Sequence, residues 1–388
     1  MSYRKPLVFA AACVGMLMFG VSLLSMGALL PSITQRFALS GMASGALVSI
    51  LPFGILAGSL VFGPIVDRFG YRAPLASSGV LVSAGLVAMA YAPAVSSLRL
   101  AILAIGFGGG VLNGGTNALV ADISAGMRGA ALSLLGVFFG VGALGMPLLL
   151  STLRNVDQAA VLAGLGVTLL LPSIFIAAIA YPVPKQSHGV PLGEAFGLLK
   201  SGALVAIAFT LALQSGIEGV VSNWSTTYLQ GGRDFAPTDA LRVLTACVIG
   251  MTVARMALAA VLQRLRGSAV LLGGLVLAIV GLAVLATGPG VGGAAAGLAL
   301  IGVGLSPGFP LLMGYVADLF PSISGTAFSV VLVIALCGNM LLNYGIGVLS
   351  DTAGIRALPV FLGLCIAAEI GIATLALRRY AATPHGTQ

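Results

Sequence analysis

Long apolar runs, separated by short polar segments, follow one another along the whole 388-residue chain. A transmembrane helix needs about 20 consecutive, mostly apolar residues, and twelve runs qualify. Their approximate bounds are 7–31, 41–63, 74–92, 98–121, 129–153, 158–182, 201–229, 239–262, 268–288, 291–317, 324–350 and 355–378. The runs are continuous and lack the period-two alternation of membrane strands. The sequence therefore predicts an all-α membrane protein with twelve transmembrane helices embedded in a lipid bilayer.

The composition supports this prediction and excludes several classes of function. Hydrophobic residues make up 59% of the chain and charged residues 7%, whereas soluble proteins carry about 25% charged residues. The net charge of +8 comes from short clusters between apolar runs, so it does not indicate nucleic-acid binding. No catalytic constellation, nucleotide-binding loop or metal-ligand spacing is present, and we expect neither an enzyme nor a cofactor. The four cysteines lie far apart in separate apolar runs, which predicts buried thiols.

Basic residues in the connecting segments predict the orientation of the chain. The first apolar run is longer than the 7–15-residue core of a signal peptide, so we interpret it as a retained first helix. With twelve spans, eleven basic residues fall on the side of the termini and six on the other. Cytoplasmic loops are enriched in Lys and Arg. Both termini are therefore predicted to lie in the cytoplasm, and the chain in a bacterial inner membrane.

The two halves of the chain resemble each other. The stretch LVADISAGMRGAALSLL at 119–135 matches YVADLFPSISGTAFSVV at 315–331, which aligns Asp122 with Asp318 at an offset of 196 residues. The longest cytoplasmic connection, 183–200, separates the repeats. The sequence thus predicts a six-helix bundle at 1–182, a linker at 183–200 and a second bundle at 201–388. Paired six-helix repeats around a central cavity are typical of one large transporter fold.

The segment after the second run reads GPIVDRFGYR (63–72). It resembles the signature loop of the major facilitator superfamily, through Gly63, Asp67, Arg68, Gly70 and Arg72. The resemblance implies transport by alternating access, with this loop closing the cytoplasmic side as a gate. Asp122 and Arg128, at the ends of neighbouring helices, are predicted to join the gate. The alternative is a solvated turn that follows the positive-inside rule.

Several motifs resemble the sugar-transporting branch related to the fucose–proton symporter. They include NGGTNALVADISAGMRGAALSLL (113–135), GMTVAR (250–255), GFPLLMGYVADLFPSISGTAFS (308–329) and E-x-x-x-x-N-W from Glu218. In that branch, carboxylates in the first and fourth helices couple transport to protons. The first helix of this chain has no carboxylate, and Asn113 occupies the position that corresponds to the carboxylate of the fourth helix.

Polar residues within the apolar runs occur four residues apart, and such pairs share one helix face. The resemblance implies that the fourth and seventh helices line the cavity and that the eleventh borders it. Amides at these places would bind hydroxyls or other uncharged polar groups, and a tryptophan would pack on a ring. The alternatives are hydrogen bonds between helices and a tryptophan anchored at the membrane interface. The candidate substrate-binding residues are Asn113, Asn117, Gln214, Glu218, Asn223, Trp224, Asn339, Asn343 and Tyr344.

Glu218 stands in the seventh run, where a charged carboxylate costs about 2.5–3.5 kcal/mol on insertion scales. Two functions would explain it. Glu218 either pairs with Arg255 in the eighth run, as a fixed bridge or a gate, or binds and releases protons. Glu369, in the last run, is a weaker candidate for the same role.

These patterns predict a monomeric secondary transporter for a small polar solute such as a sugar, with protons as the candidate coupling ion. One alternative is an exporter of drugs or metabolites, favoured by Met16, Met18 and Met26 in the first run. The other is a membrane receptor or assembly factor that has this fold but does not transport.

Overall fold

The computed structural model describes residues 3–124, 128–153, 155–183, 197–320 and 324–382. Every regular element among them is helical. The first seven α-helices are α1 (Lys5–Arg36), α2 (Gly41–Phe69), α3 (Arg72–Ala90), α4 (Val95–Ile123), α5 (Arg128–Thr152), α6 (Gln158–Thr168) and α7 (Leu170–Ala178). The next seven are α8 (Gly202–Arg233), α9 (Pro237–Leu262), α10 (Gly267–Thr287), α11 (Gly290–Leu305), α12 (Gly308–Leu319), α13 (Ser324–Ala353) and α14 (Leu358–Ala382). A 3₁₀ turn, Ile355–Ala357, precedes α14.

Twelve helical segments among the described residues are long and apolar enough to cross a membrane. This confirms the predicted fold class. In a bilayer no water is available to the backbone, so its polar groups must be satisfied within the segment, and long apolar runs become helices. Two of the twelve segments consist of two helices each, α6 with α7 and α11 with α12.

Proline explains both of these interruptions, which the sequence prediction missed. A proline has no N–H to donate, and its ring clashes with the carbonyl four residues earlier. Pro172 follows the break at Leu169, and Pro307 stands in the break between α11 and α12. Helix ends at these breaks leave carbonyl groups within the span that other side chains can use.

The chain divides into two compact units. The first comprises Met1–Ala38 and Ile50–Gly189, and the second comprises Leu39–Ser49 and Val190–Gln388. Most of the predicted linker, residues 184–196, lies outside the described residues.

In the first unit, α1 packs against α5 and α4, and α3 packs against α4, α6 and α7. Small residues permit close approach, as in other membrane bundles. At Gly142 of α5, for example, a Cβ atom would overlap the backbone of Leu17 in α1.

The segment 63–72 is helical over most of its length, which corrects the prediction of a loop there. Helix α2 continues to Phe69, and Gly70, with φ of +69°, ends it. The left-handed backbone region favours glycine because it has no Cβ. Helix α3 begins at Arg72, so the turn consists of two residues only, Gly70 and Tyr71.

In the second unit, α8 packs against α13 and α14, while α11 packs against α10 and α9. The Ser201 hydroxyl caps α8 by accepting from the Leu204 N–H at 3.3 Å. The first nine residues of α2, 41–49, also belong to this unit. Its Gly41 and Met42 N–H groups donate to the Asp351 carboxylate at the end of α13.

Candidate functional site

A polar stripe runs along α8 through Gln214 and Glu218. The Gln214 side-chain amide donates to Glu218 Oε1 at 2.8 Å and to the Leu305 carbonyl at 2.8 Å. Leu305 is the last residue of α11, so its carbonyl is among those that have no partner within their own helix. The break after α11 thus supplies an acceptor that holds Gln214 in place, and Gln214 in turn orients Glu218.

Glu218 also faces a cation. Arg255 Nη2 of α9 lies 3.4 Å from Glu218 Oε2. The Glu218 side chain is 22% exposed and that of Arg255 is 31% exposed, so the pair is neither sealed nor fully solvated. A carboxylate that is held by an amide and a guanidinium, and that remains accessible, can accept hydrogen bonds from a polar solute.

Three amide side chains link α8 to α13. Asn339 donates to the Ser215 carbonyl at 2.7 Å, Asn343 donates to Asn339 Oδ1 at 2.9 Å, and Asn223 donates to Asn343 Oδ1 at 3.2 Å. Asn223 and Asn343 are buried, while Asn339 is half-buried. We name this set, Asn223, Asn339, Asn343 and the Ser215 carbonyl, the amide chain. It is a continuous bridge between the two helices.

The two aromatic candidates lie in opposite environments. Trp224 is 1% exposed, so both faces of its ring are covered by protein. Its Nε1 is buried and has no hydrogen-bond partner among the described residues. Tyr344, next to the buried Asn343, is 41% exposed. Among the described residues, no cation–π contact joins Arg255 to either ring.

In the first unit, Asn113 and Asn117 form a pair on α4. Asn117 donates to the Asn113 carbonyl at 2.8 Å and to Asn113 Oδ1 at 3.1 Å. Both residues are half-buried. The Thr116 hydroxyl, on the adjoining face, lies 3.7 Å from Met16 Sδ of α1. The pair is therefore ordered by local hydrogen bonds and remains partly accessible.

The predicted gate residues lie near the turn after α2. The Tyr71 hydroxyl donates to Asp122 Oδ2 at 2.7 Å, and both residues are buried. Arg72 donates to the Ala177 carbonyl. The structure thus connects Asp122 and Arg72 to neighbouring groups of their own unit.

Four predicted gate residues remain, and they are Gly63, Asp67, Arg68 and Arg128. The Arg68 guanidinium lies 5.3 Å from the centre of the Phe69 ring. Burial raises the pKa of the Tyr181 phenol, and the nearby Arg72 opposes that rise. Gly63 lies within α2. The side chains of Asp67 and Arg128 lie outside the part of the chain that the structure describes.

Sequence reasoning missed the partners that complete the site. The Leu305 and Ser215 carbonyls are backbone groups, so no residue type marks them. Tyr71 stands inside the motif at 63–72 but is not one of its fixed positions. Tyr71 follows the end of α2 and Asp122 stands near the end of α4, so both lie at the same end of the bundle, which is a signal that could have been recognised.

Comparison with known proteins extends over most of the chain. Residues 7–341 match the family model of the Major Facilitator Superfamily. The chain is 22% identical to the "Uncharacterized MFS-type transporter YfkL" of Bacillus subtilis over 60% of its own length and 61% of that protein. It is also 22% identical to the "Inner membrane transport protein YdiN" of Escherichia coli, over 68% of its own length and 64% of that protein. The matches thus span less than two thirds of these two relatives.

A solved structure agrees with the fold. The crystal structure of D-xylose-proton symporter superimposes with a TM-score of 0.78 at 16% sequence identity, covering 99% of each chain. At this identity the similarity concerns the fold alone. Together with the family match over residues 7–341, it establishes that the chain is a multi-pass membrane protein that belongs to the Major Facilitator Superfamily.

Proposed function

We propose that this protein is a secondary transporter that moves a small polar solute, a sugar by class, across a bacterial inner membrane by alternating access. Protons are the proposed coupling ion, and Glu218 is the proposed coupling group. The protein acts as a monomer, with both termini in the cytoplasm.

The observation that carries this proposal is the setting of Glu218. The carboxylate lies in the middle of a membrane-spanning helix, accepts from Gln214 and pairs with Arg255 at 3.4 Å. An acid in such a place is costly and is retained where it serves ion or substrate pathways. Its 22% exposure leaves room for the proton exchange that a sealed ion pair would prevent.

The proposed solute class follows from the amide side chains. Amides donate and accept hydrogen bonds without adding charge, which suits hydroxyl groups. The half-buried Asn113, Asn117 and Asn339 are the amides that we propose for solute contact. Gln214, Asn223 and Asn343 hold those groups in position, whereas Trp224 contributes packing. Resemblance to the fucose–proton symporter branch and the fold of the D-xylose-proton symporter also favour a sugar.

The test is proton uptake by proteoliposomes, measured with a pH-sensitive dye while a panel of sugars is added. We expect one class of sugar to produce proton uptake in the wild type and Glu218→Gln to abolish it. The amide keeps the shape and the hydrogen bond from Gln214 but cannot bind and release a proton at neutral pH.

Asp239→Asn provides the matched control. Asp239 pairs with Arg242 at 3.2 Å in an exposed position, so the change removes an acid from an Asp–Arg pair outside the site. Its proton uptake should equal that of the wild type. Unaltered sugar-dependent uptake in Glu218→Gln would refute the coupling role, and no signal for any sugar would refute the solute class.

The alternative of an exporter was favoured by three methionines of α1. Met18 and Met26 are fully buried, whereas Met16 is half-buried, so one of the three is partly accessible. A receptor function would be indicated by the absence of solute flux together with a partner protein that stays bound during purification.

A further inference from the structure

A second acid lies in the membrane-spanning part of the second unit, on α14. Glu369 is 0% exposed. The buried residues of α14 follow one another at intervals of three or four, and they are Leu358, Leu362, Ile366, Glu369, Ala373 and Ala376. This spacing defines a single helix face that packs into the protein. Glu369 is the one polar member of an otherwise apolar face.

The position of Glu369 relative to Glu218 follows from the way α14 packs on α8. The two helices are antiparallel, because Arg379 near the end of α14 donates to the Gly202 carbonyl at the start of α8. At the opposite end, Arg356 donates to the Gly232 carbonyl. Glu369 therefore falls in the middle of α14, as Glu218 does in α8, and the two acids lie at similar heights on helices that pack against each other.

Nothing among the described residues compensates a charge on Glu369. Both of its carboxyl oxygens are buried and have no hydrogen-bond partner there. Helix α10, which also packs on α14, contains no ionisable residue between Gly267 and Thr287. On α14 itself, Cys365 lies one turn away and is half-buried, and Cys337 on α13 is exposed, which corrects the prediction that all four thiols are buried. Asp351, Arg356 and Arg379 stand at helix ends.

Arg255, the cation within α9, is already engaged. It faces Glu218 at 3.4 Å, so the Glu218 carboxylate offsets its charge. An ionised carboxylate without a cation or a hydrogen-bond donor is strongly disfavoured in a low-dielectric interior. The neutral acid avoids that penalty, and a second negative charge beside Glu218 would add repulsion.

We propose that Glu369 is a second proton-binding site, which holds its proton in this conformation and is electrostatically coupled to the Glu218–Arg255 pair. Neutralisation of Glu218 removes the repulsion and leaves Arg255 free to stabilise a charge nearby. When one of the two acids is ionised, the other therefore favours its protonated form. The occupancy of the site by a proton does not depend on the transport function proposed above.

The experiment is infrared spectroscopy of the full-length protein reconstituted in lipid, with the glutamate side-chain carboxyls labelled with ¹³C. The chain contains only three glutamates, Glu194, Glu218 and Glu369, so a labelled band can be assigned by substitution. At neutral pH we expect the C=O stretch of a protonated carboxylic acid in the wild type and its loss in Glu369→Gln. Glu194→Gln is the control that should retain the band.

Two results would overturn the proposal. A wild type without the protonated band would show that Glu369 is ionised, and a band that persists in Glu369→Gln would assign it to another glutamate. Coupling is tested by titration, since Glu218→Gln should move the loss of the band to lower pH. An unchanged titration would refute the coupling. No solute is needed, so a failed transport assay has no bearing on these outcomes.

Discussion

The amide chain between α8 and α13 offers a test of how tightly the second unit is packed. A Cβ atom at Gly219 would lie 2.5 Å from Asn339 Nδ2 and 2.8 Å from its Cγ and Oδ1. Real Cβ contacts are close to 3.4 Å or longer, so Gly219→Ala must displace the Asn339 side chain by about 1 Å. That displacement disrupts the hydrogen bonds to the Ser215 carbonyl and from Asn343.

The expected magnitude follows from these contacts. Two hydrogen bonds contribute about 0.5–1.5 kcal/mol each, and overpacking costs about 1–3 kcal/mol in total. Alanine also favours the helix over glycine by about 0.5–1 kcal/mol. We therefore expect Gly219→Ala to lower the free energy of unfolding by about 1–5 kcal/mol.

Unfolding equilibria of the purified protein in mixed micelles would measure this change. Gly371→Ala in α14 is the matched control, because nothing lies within 4 Å of its added Cβ, and it should be neutral or slightly stabilising. Asn339→Ala removes the obstacle, so adding Gly219→Ala to it should cost little, with a coupling of about 1 kcal/mol or more. Equal stability of the two glycine variants, or an equal loss with and without the Asn339 side chain, would refute the reasoning.

Two further substitutions test other contacts. Gly308→Ala places a Cβ that overlaps the Gln214 side chain, so we expect about 1–3 kcal/mol of destabilisation and weaker proton uptake. Gly314→Ala, with nothing within 4 Å, should leave both unchanged, and equal behaviour of the pair would contradict the expectation. Tyr71→Phe removes the 2.7 Å bond to Asp122 and should lower the free energy of unfolding by about 1–2 kcal/mol. An unchanged unfolding curve would argue against that bond.

The sequence predicted the features that depend only on the length of apolar runs and on helical periodicity. Apolar runs of sufficient length predict membrane helices because the bilayer leaves the backbone no other partner, and the twelve spans are confirmed. The spacing of Asn339 and Asn343 likewise predicts one shared face, since helical periodicity fixes it.

Contacts between helices could not be predicted in this way. The rotation of α8 decides that Trp224 is enclosed, and no pattern in the sequence indicates which neighbour covers it. Gln214 depends on a carbonyl that the break after Leu305 exposes. Pro307 marks that break in the sequence. Packing alone decides which side chain on another helix bonds to the Leu305 carbonyl.

The sequence repeat makes the two units alike at one acidic position, whereas the charged residues inside the helices differ between them. Asp122 and Asp318 align in the repeat, and each accepts a hydrogen bond from a tyrosine hydroxyl, Tyr71 for the former and Tyr380 for the latter. The acid is thus kept at equivalent places while its partner comes from a different part of each unit.

The interior of the spans shows no such symmetry. Glu218, Arg255 and Glu369 all lie inside helices of the second unit, whereas the charged residues of α1 to α7 stand at or near helix ends. In the first unit, α4 carries a polar pair that consists of amides, Asn113 and Asn117. Amides bind solutes but do not exchange protons at neutral pH. Within the described spans, the carboxylates that lie away from helix ends therefore belong to the second unit, whereas the first unit has the neutral amide pair.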